Sequence, residues 1–183
     1  MTGNATGERG ENPDRLRNME TIVREHETAL LRYATRILNN ADTAQDIVQN
    51  VFIKLFKSRQ GGSQPAKHMK AWLYRVTHNE AVDHIRRESR LSLLHERRAK
   101  EPVMECPNNL NCPSGSDERR DLVLQHLKRL HPREQQVVLL RLDEGLSYRD
   151  IAGITGRSEG NVGNILHHAV RKLSKSLEQC HEV

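Results

Sequence analysis

The stretch Leu146–Leu173, LSYRDIAGITGRSEGNVGNILHHAVRKL, constrains the chain more than any other. It reads as two short helices joined by a tight turn. Ser147 and Asp150, three residues apart, have the pattern of a capping box that starts the first helix. Ile151, Ala152 and Ile154 give that helix an apolar side, and Gly156 supplies the residue that tolerates positive φ at the turn. Ser158 is a second N-cap, after which Val162, Ile165, Leu166, Ala169 and Leu173 recur at helical spacing. A small residue at the crossing, a glycine at the turn and apolar residues pinning the second helix are what a helix-turn-helix needs. Arg157, Ser158, Glu159, Asn161, Asn164, His167, His168, Arg171 and Lys172 are then left for solvent or DNA. Asn side chains read base edges, and Arg and Lys hold phosphates. Gly153, Gly160 and Gly163 each cost about 1 kcal/mol inside a helix. They predict a place where the backbone comes close to a DNA groove or a facing helix.

A chain of 183 residues has room for one medium domain or two small ones. Charged residues make up 29% of it and aromatics only 3%, so its cores must be aliphatic helical stripes. The net charge of +5 favours a polyanionic partner. No apolar run approaches the roughly 18 residues of a membrane span, and the polar start MTGNATGERGENPDR lacks the apolar core of a signal peptide. Three cysteines and no export signal predict a reducing cytoplasm.

Residues 1–15 are rich in Gly, Asn and charge and read as disordered. A helical pattern follows through Leu16, Met19, Ile22, Val23, Leu30, Leu31, Ala34, Ile37 and Leu38, and Asn39-Asn40 ends it. In DTAQDIVQNVFIKLFKS, Asp42 is the expected N-cap and Ile47, Val48, Val51, Phe52, Leu55 and Phe56 form one apolar face. Gln45, Asp46, Gln49 and Asn50 fall on the other side. RQGGSQPAKH, residues 59–68, reads as a loop. The helix after it places Trp72, Leu73, Val76, Ala81, Val82 and Ile85 on one stripe. Arg75, His78, Asn79, Asp83, Arg86, Arg87 and Arg90 lie mostly off that stripe. From about Leu91 to Ser116 the pattern decays into an irregular linker. A second helical block begins near Asp117, with Leu122, Val123, Leu127 and Leu130 expected on one side. His131-Pro132 opens another helix, in which Val137, Val138, Leu140 and Leu142 continue the core until Gly145 stops it. The tail SKSLEQCHEV is expected to fray.

The fold class is therefore all-α: two small helical domains joined by an irregular linker, the carboxyl-terminal one containing the helix-turn-helix. The boundaries read as 16–92, a linker at 93–118, 119–178 and a short tail at 179–183.

Three blocks in this order resemble the small sigma factors of the extracytoplasmic-function group, promoter-recognition subunits of bacterial RNA polymerase. DTAQDIVQNVF is similar to that family's acidic helix, through Ala44, Asp46, Gln49, Val51 and Phe52. KAWLYRVTHNEAVDHIRR resembles its basic helix, and LHPREQQVVLLRLDEGLSYRDIAGITG its carboxyl domain. The resemblance implies a non-enzymatic, cytoplasmic protein without cofactor, metal or catalytic residues. Its partners would be promoter DNA, the RNA polymerase core with its beta and beta′ subunits, and, as often in the family, an anti-sigma factor. Gln45, Asp46, Gln49 and Asn50 would grip the polymerase clamp. Arg59, Gln60, Ser63, Lys67, His68, Lys70, Trp72, Arg75, Asn79, Asp83, Arg86 and Arg87 would read a melted −10 element. The exposed residues from Arg157 to Lys172 named above would read a duplex −35 element.

Two other classes compete. A free-standing helix-turn-helix regulator would bind duplex DNA without polymerase, but leaves the amino-terminal blocks without a purpose. A metal or redox site would draw on Cys106 and Cys112, with His95 and His126 not far off in sequence. Their five-residue separation is wider than structural zinc prefers, so free reduced cysteines are the simpler reading. No nucleophile–base pair, phosphate loop or metal-binding helix points to an enzyme.

Overall fold

Aliphatic residues three and four apart produce the same element throughout. The computed structural model describes residues 13–60, 68–96 and 118–181, and no strand occurs among them. The helices are α1 (Pro13–Leu38), α2 (Ala41–Gln60), α3 (Met69–Glu96), α4 (Glu118–Lys128), α5 (Pro132–Val138), α6 (Tyr148–Thr155) and α7 (Glu159–His181), with a π turn at Leu139–Asp143. The chain is all-α, as expected, with two helical units. The linker residues 97–117, which include Cys106 and Cys112, and residues 1–12 lie outside the described residues.

In the amino-terminal unit α1 packs along α2, and both pack on α3. Leu30, Tyr33 and Ala34 of α1 meet Ala44, Ile47, Val48, Val51 and Leu55 of α2, with Leu73, Tyr74 and Ala81 of α3, in the buried core. Asn39 takes the left-handed conformation at φ 55°, closing α1. The expected N-cap Asp42 lies inside α2 instead. Asn40 caps the helix, its Oδ1 accepting the Thr43 amide at 3.0 Å. An asparagine pair was legible as a stop, but its second member also starts the next helix.

The carboxyl-terminal unit wraps α4, α5 and α6 around α7. Leu127, Leu130, Val137, Leu139, Leu140, Ile151, Ile154, Val162, Leu166, Ala169 and Leu173 are buried. His131 and Glu134 form a full capping box at the start of α5, with Pro132 in the first turn. Ser147 caps α6, its Oγ accepting the Asp150 amide at 3.1 Å. The Asp150 carboxylate accepts the Ser147 hydroxyl rather than its amide, so only half of the expected box forms. Gly145 and Gly156 both take φ +67°, the first ending the π turn and the second making the turn before α7.

Several expectations are corrected. Val123 and Leu142 are exposed rather than core, Leu142 at 64%. The π turn adds a residue to the helical repeat and swings Leu142 outward, a shift that 3.6-residue periodicity does not foresee. Arg59 and Gln60, expected in the loop, are the last residues of α2. Pro13–Arg15, expected to be disordered, form the first turn of α1, where a proline is tolerated. Helix α3 runs to Glu96 because no proline or glycine interrupts it earlier, and α7 likewise runs to His181 through the tail expected to fray. No helix among the described residues is long and apolar enough to cross a membrane.

The two units also touch, which was not expected. Helix α3 packs on α6, and Asp143 and Glu144 at the end of the π turn reach residues of α1 and α3.

Candidate nucleic-acid and protein interfaces

Helix α2 buries one side and shows the other. Gln45, Asp46, Gln49 and Asn50 are all exposed, as the pattern predicts. Beside them α1 and α2 form an apolar groove, with Val23, Leu31, Phe52, Ile53 and Phe56 in its walls and Gln45 and Gln49 on its rim. Sequence reading missed this groove. Its one signal was Ile53, which falls outside the buried stripe and is 44% exposed.

Helix α3 has two opposite characters. Arg75, Asn79, Asp83, Arg86, Arg87 and Arg90 are exposed and recur every three or four residues, so they form one continuous stripe. Asp83 pairs with Arg86 at 3.3 Å, and its carbonyl accepts from Arg87 Nε at 3.4 Å. The carboxylate thus holds one arginine of the stripe, and the backbone of the same residue holds a second. Trp72 is half-buried against the core rather than displayed. Lys70 is on another side: its ammonium donates to the Glu144 carbonyl at 2.5 Å and lies 5.8 Å from the Tyr74 ring centre. His68 is exposed just before α3. Arg59 turns back on α1, donating to Asn18 Oδ1 at 3.4 Å. Ser63 and Lys67 lie outside the described residues, and so does the side chain of Gln60. The proposed −10 set is thus not one cluster.

The buried side of α3 carries Tyr74, Thr77 and His78. Tyr33 Oη and His78 Nδ1 are hydrogen-bonded at 2.9 Å, and the Tyr33 and Tyr74 rings meet edge to face at 5.3 Å. Burial, with the charges of Arg86 and Arg157, holds the His78 imidazole down at about 4. Burial and then the hydrogen bond to Glu144 push the Tyr74 phenol above its usual range.

Helix α7 exposes Glu159, Asn161, Asn164, His167, His168, Arg171 and Lys172; just before it Ser158 is exposed and Arg157 half-buried. Ser158 Oγ accepts the Asn161 amide at 3.3 Å, the cap foreseen. At 3.6 residues per turn, Asn164, His167 and Arg171 form one stripe, and Asn161, His168 and Lys172 another. Lys172 donates to Glu134 of α5 at 2.6 Å, which turns the second stripe toward α5. That bond is the main reason the Glu134 carboxyl titrates below its usual range. The glycines give a mixed result. A Cβ at Gly153 or Gly160 would meet nothing within 4 Å, and at Gly163 only the Tyr148 ring at 3.8 Å. No facing helix requires them. Tyr148, 40% exposed beneath the Arg141 guanidinium at 5.1 Å, is a rim residue that sequence reading did not single out. Among the described residues no cluster could hold a metal; His126 instead hydrogen-bonds Ser176 at 2.6 Å.

Comparison with known proteins agrees with this layout. The Sigma-70 region 2 family profile matches residues 22–91, and the Sigma-70 region 4 profile matches residues 120–173. The chain is similar to the ECF RNA polymerase sigma factor SigE of Mycolicibacterium smegmatis, at 32% identity over 92% of this chain. It spans 63% of that relative's length. It is also similar to SigL of Mycobacterium tuberculosis, at 28% identity over 88% of this chain and 89% of the relative. Among solved structures it shares its fold with RpoE of Bartonella quintana, determined in complex with the anti-sigma factor NepR: TM-score 0.71, 22% identity, 88% of this chain and 97% of that one. CnrH, in complex with the cytosolic domain of CnrY, matches with TM-score 0.61 and 23% identity over 90% of each chain. Both family profiles fall on the two helical units in order, and the chain belongs to the sigma-70 family, in its extracytoplasmic-function group.

Proposed function

We propose that this chain is a promoter-specificity subunit that joins the RNA polymerase core through the beta and beta′ subunits and directs initiation at promoters with −10 and −35 elements. The supporting observation is the pairing, within one chain, of an exposed α2 face beside an apolar groove with an exposed polar stripe on α7. A free-standing regulator would need only the second. In this reading Gln45, Asp46, Gln49 and Asn50 dock on the polymerase clamp. The arginine stripe of α3, with the residues between α2 and α3, holds the −10 strand. Asn164 and His167 read the −35 duplex in the major groove, with Arg171 on a phosphate.

Residues 16–92 and 119–178 are the proposed functional domains, joined through 93–118. The protein acts in the cytoplasm and is not itself an enzyme; the catalysis belongs to the polymerase. An anti-sigma factor is a further proposed partner, because the structurally similar RpoE was determined with NepR. Run-off transcription tests the proposal. Core polymerase plus this chain yields discrete transcripts whose mapped starts share spaced upstream elements. Failure to bind core polymerase, with duplex binding intact, overturns it in favour of the free-standing regulator.

A further inference from the structure

Helix α7 keeps a glycine where its own fold requires none. Gly163 lies inside the helix, where alanine is the better helix former. A Cβ built there meets only Cε2 of the Tyr148 ring, at 3.8 Å, an ordinary contact that alanine would satisfy. The missing side chain opens a groove between α6 and α7, lined by Tyr148, Gly163, Leu166, His167, Val170 and Arg171. Leu166 is buried at its base, while Tyr148 and Val170 stand exposed as apolar walls. Tyr148 is held from behind. The Arg141 guanidinium lies 5.1 Å from its ring centre, and Arg141 Nη1 is itself anchored by donating to the Leu146 carbonyl at 2.8 Å.

We propose that this groove is a pocket for the C5-methyl group of a thymine in the −35 duplex, and that it selects thymine at one position of that element.

The groove is continuous with the polar stripe of α7. His167 and Arg171 belong to both, and Asn164 follows Gly163 directly. A helix that reads base edges in the major groove meets one apolar group there, the methyl of thymine, which adenine, guanine and cytosine lack. An exposed apolar recess within a polar reading face fits that group and no other feature of the duplex. The charges agree. None of the six lining residues is acidic, and Arg171 and Arg141 bring cations to the rim, which suits a polyanion and disfavours a basic protein segment. His167 adds a polar partner on the same side: a ring N–H can be offered to the O4 acceptor of the same thymine. The occupant rests on the proposed placement of α7 in the major groove, whereas the groove itself does not.

Removing the methyl and nothing else tests the pocket. The full chain selects its preferred −35 duplex from a randomised pool, and each thymine of that duplex is then replaced in turn by deoxyuridine. One replacement weakens binding about fourfold, the loss that corresponds to roughly 0.8 kcal/mol for one buried carbon, and the others leave it unchanged. Gly163→Ala fills the recess with its own methyl and favours the helix, so it binds the thymine and deoxyuridine duplexes equally. Tyr148→Ser removes a wall and abolishes the same difference from the other helix. A retained cooperative melt certifies each variant. A preferred duplex without thymine, one in which no thymine responds to deoxyuridine, or a difference that survives both variants overturns the pocket. A difference lost in both variants, in a chain that never joins core polymerase, upholds the pocket and removes the promoter-subunit reading. Run-off transcription at unchanged yield from templates with deoxyuridine throughout the −35 element upholds that reading and removes the pocket.

Discussion

The exposed stripe of α3 and the exposed stripe of α7 lie on helices of similar length and do opposite things with their side chains. Helix α3 presents Arg75, Arg86, Arg87 and Arg90, with Arg86 held by the Asp83 carboxylate and Arg87 by the Asp83 carbonyl. Helix α7 presents Asn164 and His167 beside two glycines, with Arg171 further along and Lys172 drawn away by Glu134. Long cationic side chains grip a phosphate backbone without reading it, whereas short amides on a slender helix read base edges. Under the proposed function, the first pattern suits holding a strand and the second suits choosing a sequence.

The largest expected effect follows from hold. Arg86→Ala with Arg87→Ala should weaken binding of −10 strand DNA by about 3 kcal/mol, on the scale of two charge-assisted hydrogen bonds. The loss should be similar for every sequence. The slope of log affinity against log salt should become shallower by about 1.4, the value for two single-strand phosphates. Filter binding over a salt series checks this. Loss confined to one sequence would move α3 into the reading class.

The buried side of α3 gives the next effect. His78 faces Tyr33 of α1 and feels Arg86 of its own helix and Arg157 of the carboxyl-terminal unit. Its folded value of about 4 lies below the ordinary imidazole value of 6.5, so the folded state favours the neutral ring. Its contribution is complete above pH 6.5 and is lost as pH falls toward 4, because the unfolded chain takes up the proton first. The loss amounts to at most about 3 kcal/mol. Urea titrations from pH 7 to pH 4 should show a steeper decline for wild type than for His78→Gln. Arg86→Ala should raise the His78 value and flatten the same curve, which ties the two sides of the helix together.

Much of this was readable beforehand, and the exceptions share a cause. Ser147, Gly156, Ser158 and the buried stripe of α7 follow from local rules, because capping and turn chemistry act within a few residues. The arginine stripe of α3 was also visible, since periodicity sets which residues share a face. The socket for Glu144 was not. Its parts come from α1, α3 and a π turn, far apart in sequence, and each residue alone reads as an ordinary surface charge or a core tyrosine. Lys70 shows the limit best: placed among the −10-reading residues by the family resemblance, it reaches across to a carbonyl of the other unit. Leu142 fails for a different reason, because one added residue in the helical repeat shifts every face that follows.

A smaller effect tests choice on α7. Asn164→Ala should cost about 1–3 kcal/mol on the preferred −35 duplex and relax preference at one position, with the salt slope unchanged. Asn161→Ala, on the stripe turned toward α5, should cost less. Selection from a randomised −35 duplex reads both. Equal losses on all sequences would mean that α7 only grips, and the contrast with α3 would collapse.

The smallest effect separates a helix shaped by its own protein from one shaped by a partner. Gly153 and Gly160 both sit in helices with open space where a Cβ would go. Alanine at either should stabilise the fold by up to about 1 kcal/mol, because glycine is the poorer helix former. Both glycines therefore forgo stability that the fold would accept. Gly160 differs in being one turn before Asn164 on the reading helix, where an added methyl would stand between backbone and groove. Gly160→Ala should thus raise the melting temperature and weaken −35 binding together, while Gly153→Ala raises the melting temperature alone. Thermal melts and binding isotherms on the same −35 duplex measure the pair. If alanine at Gly160 leaves binding untouched, the slender face of α7 is not pressed against DNA, and its glycines need another explanation.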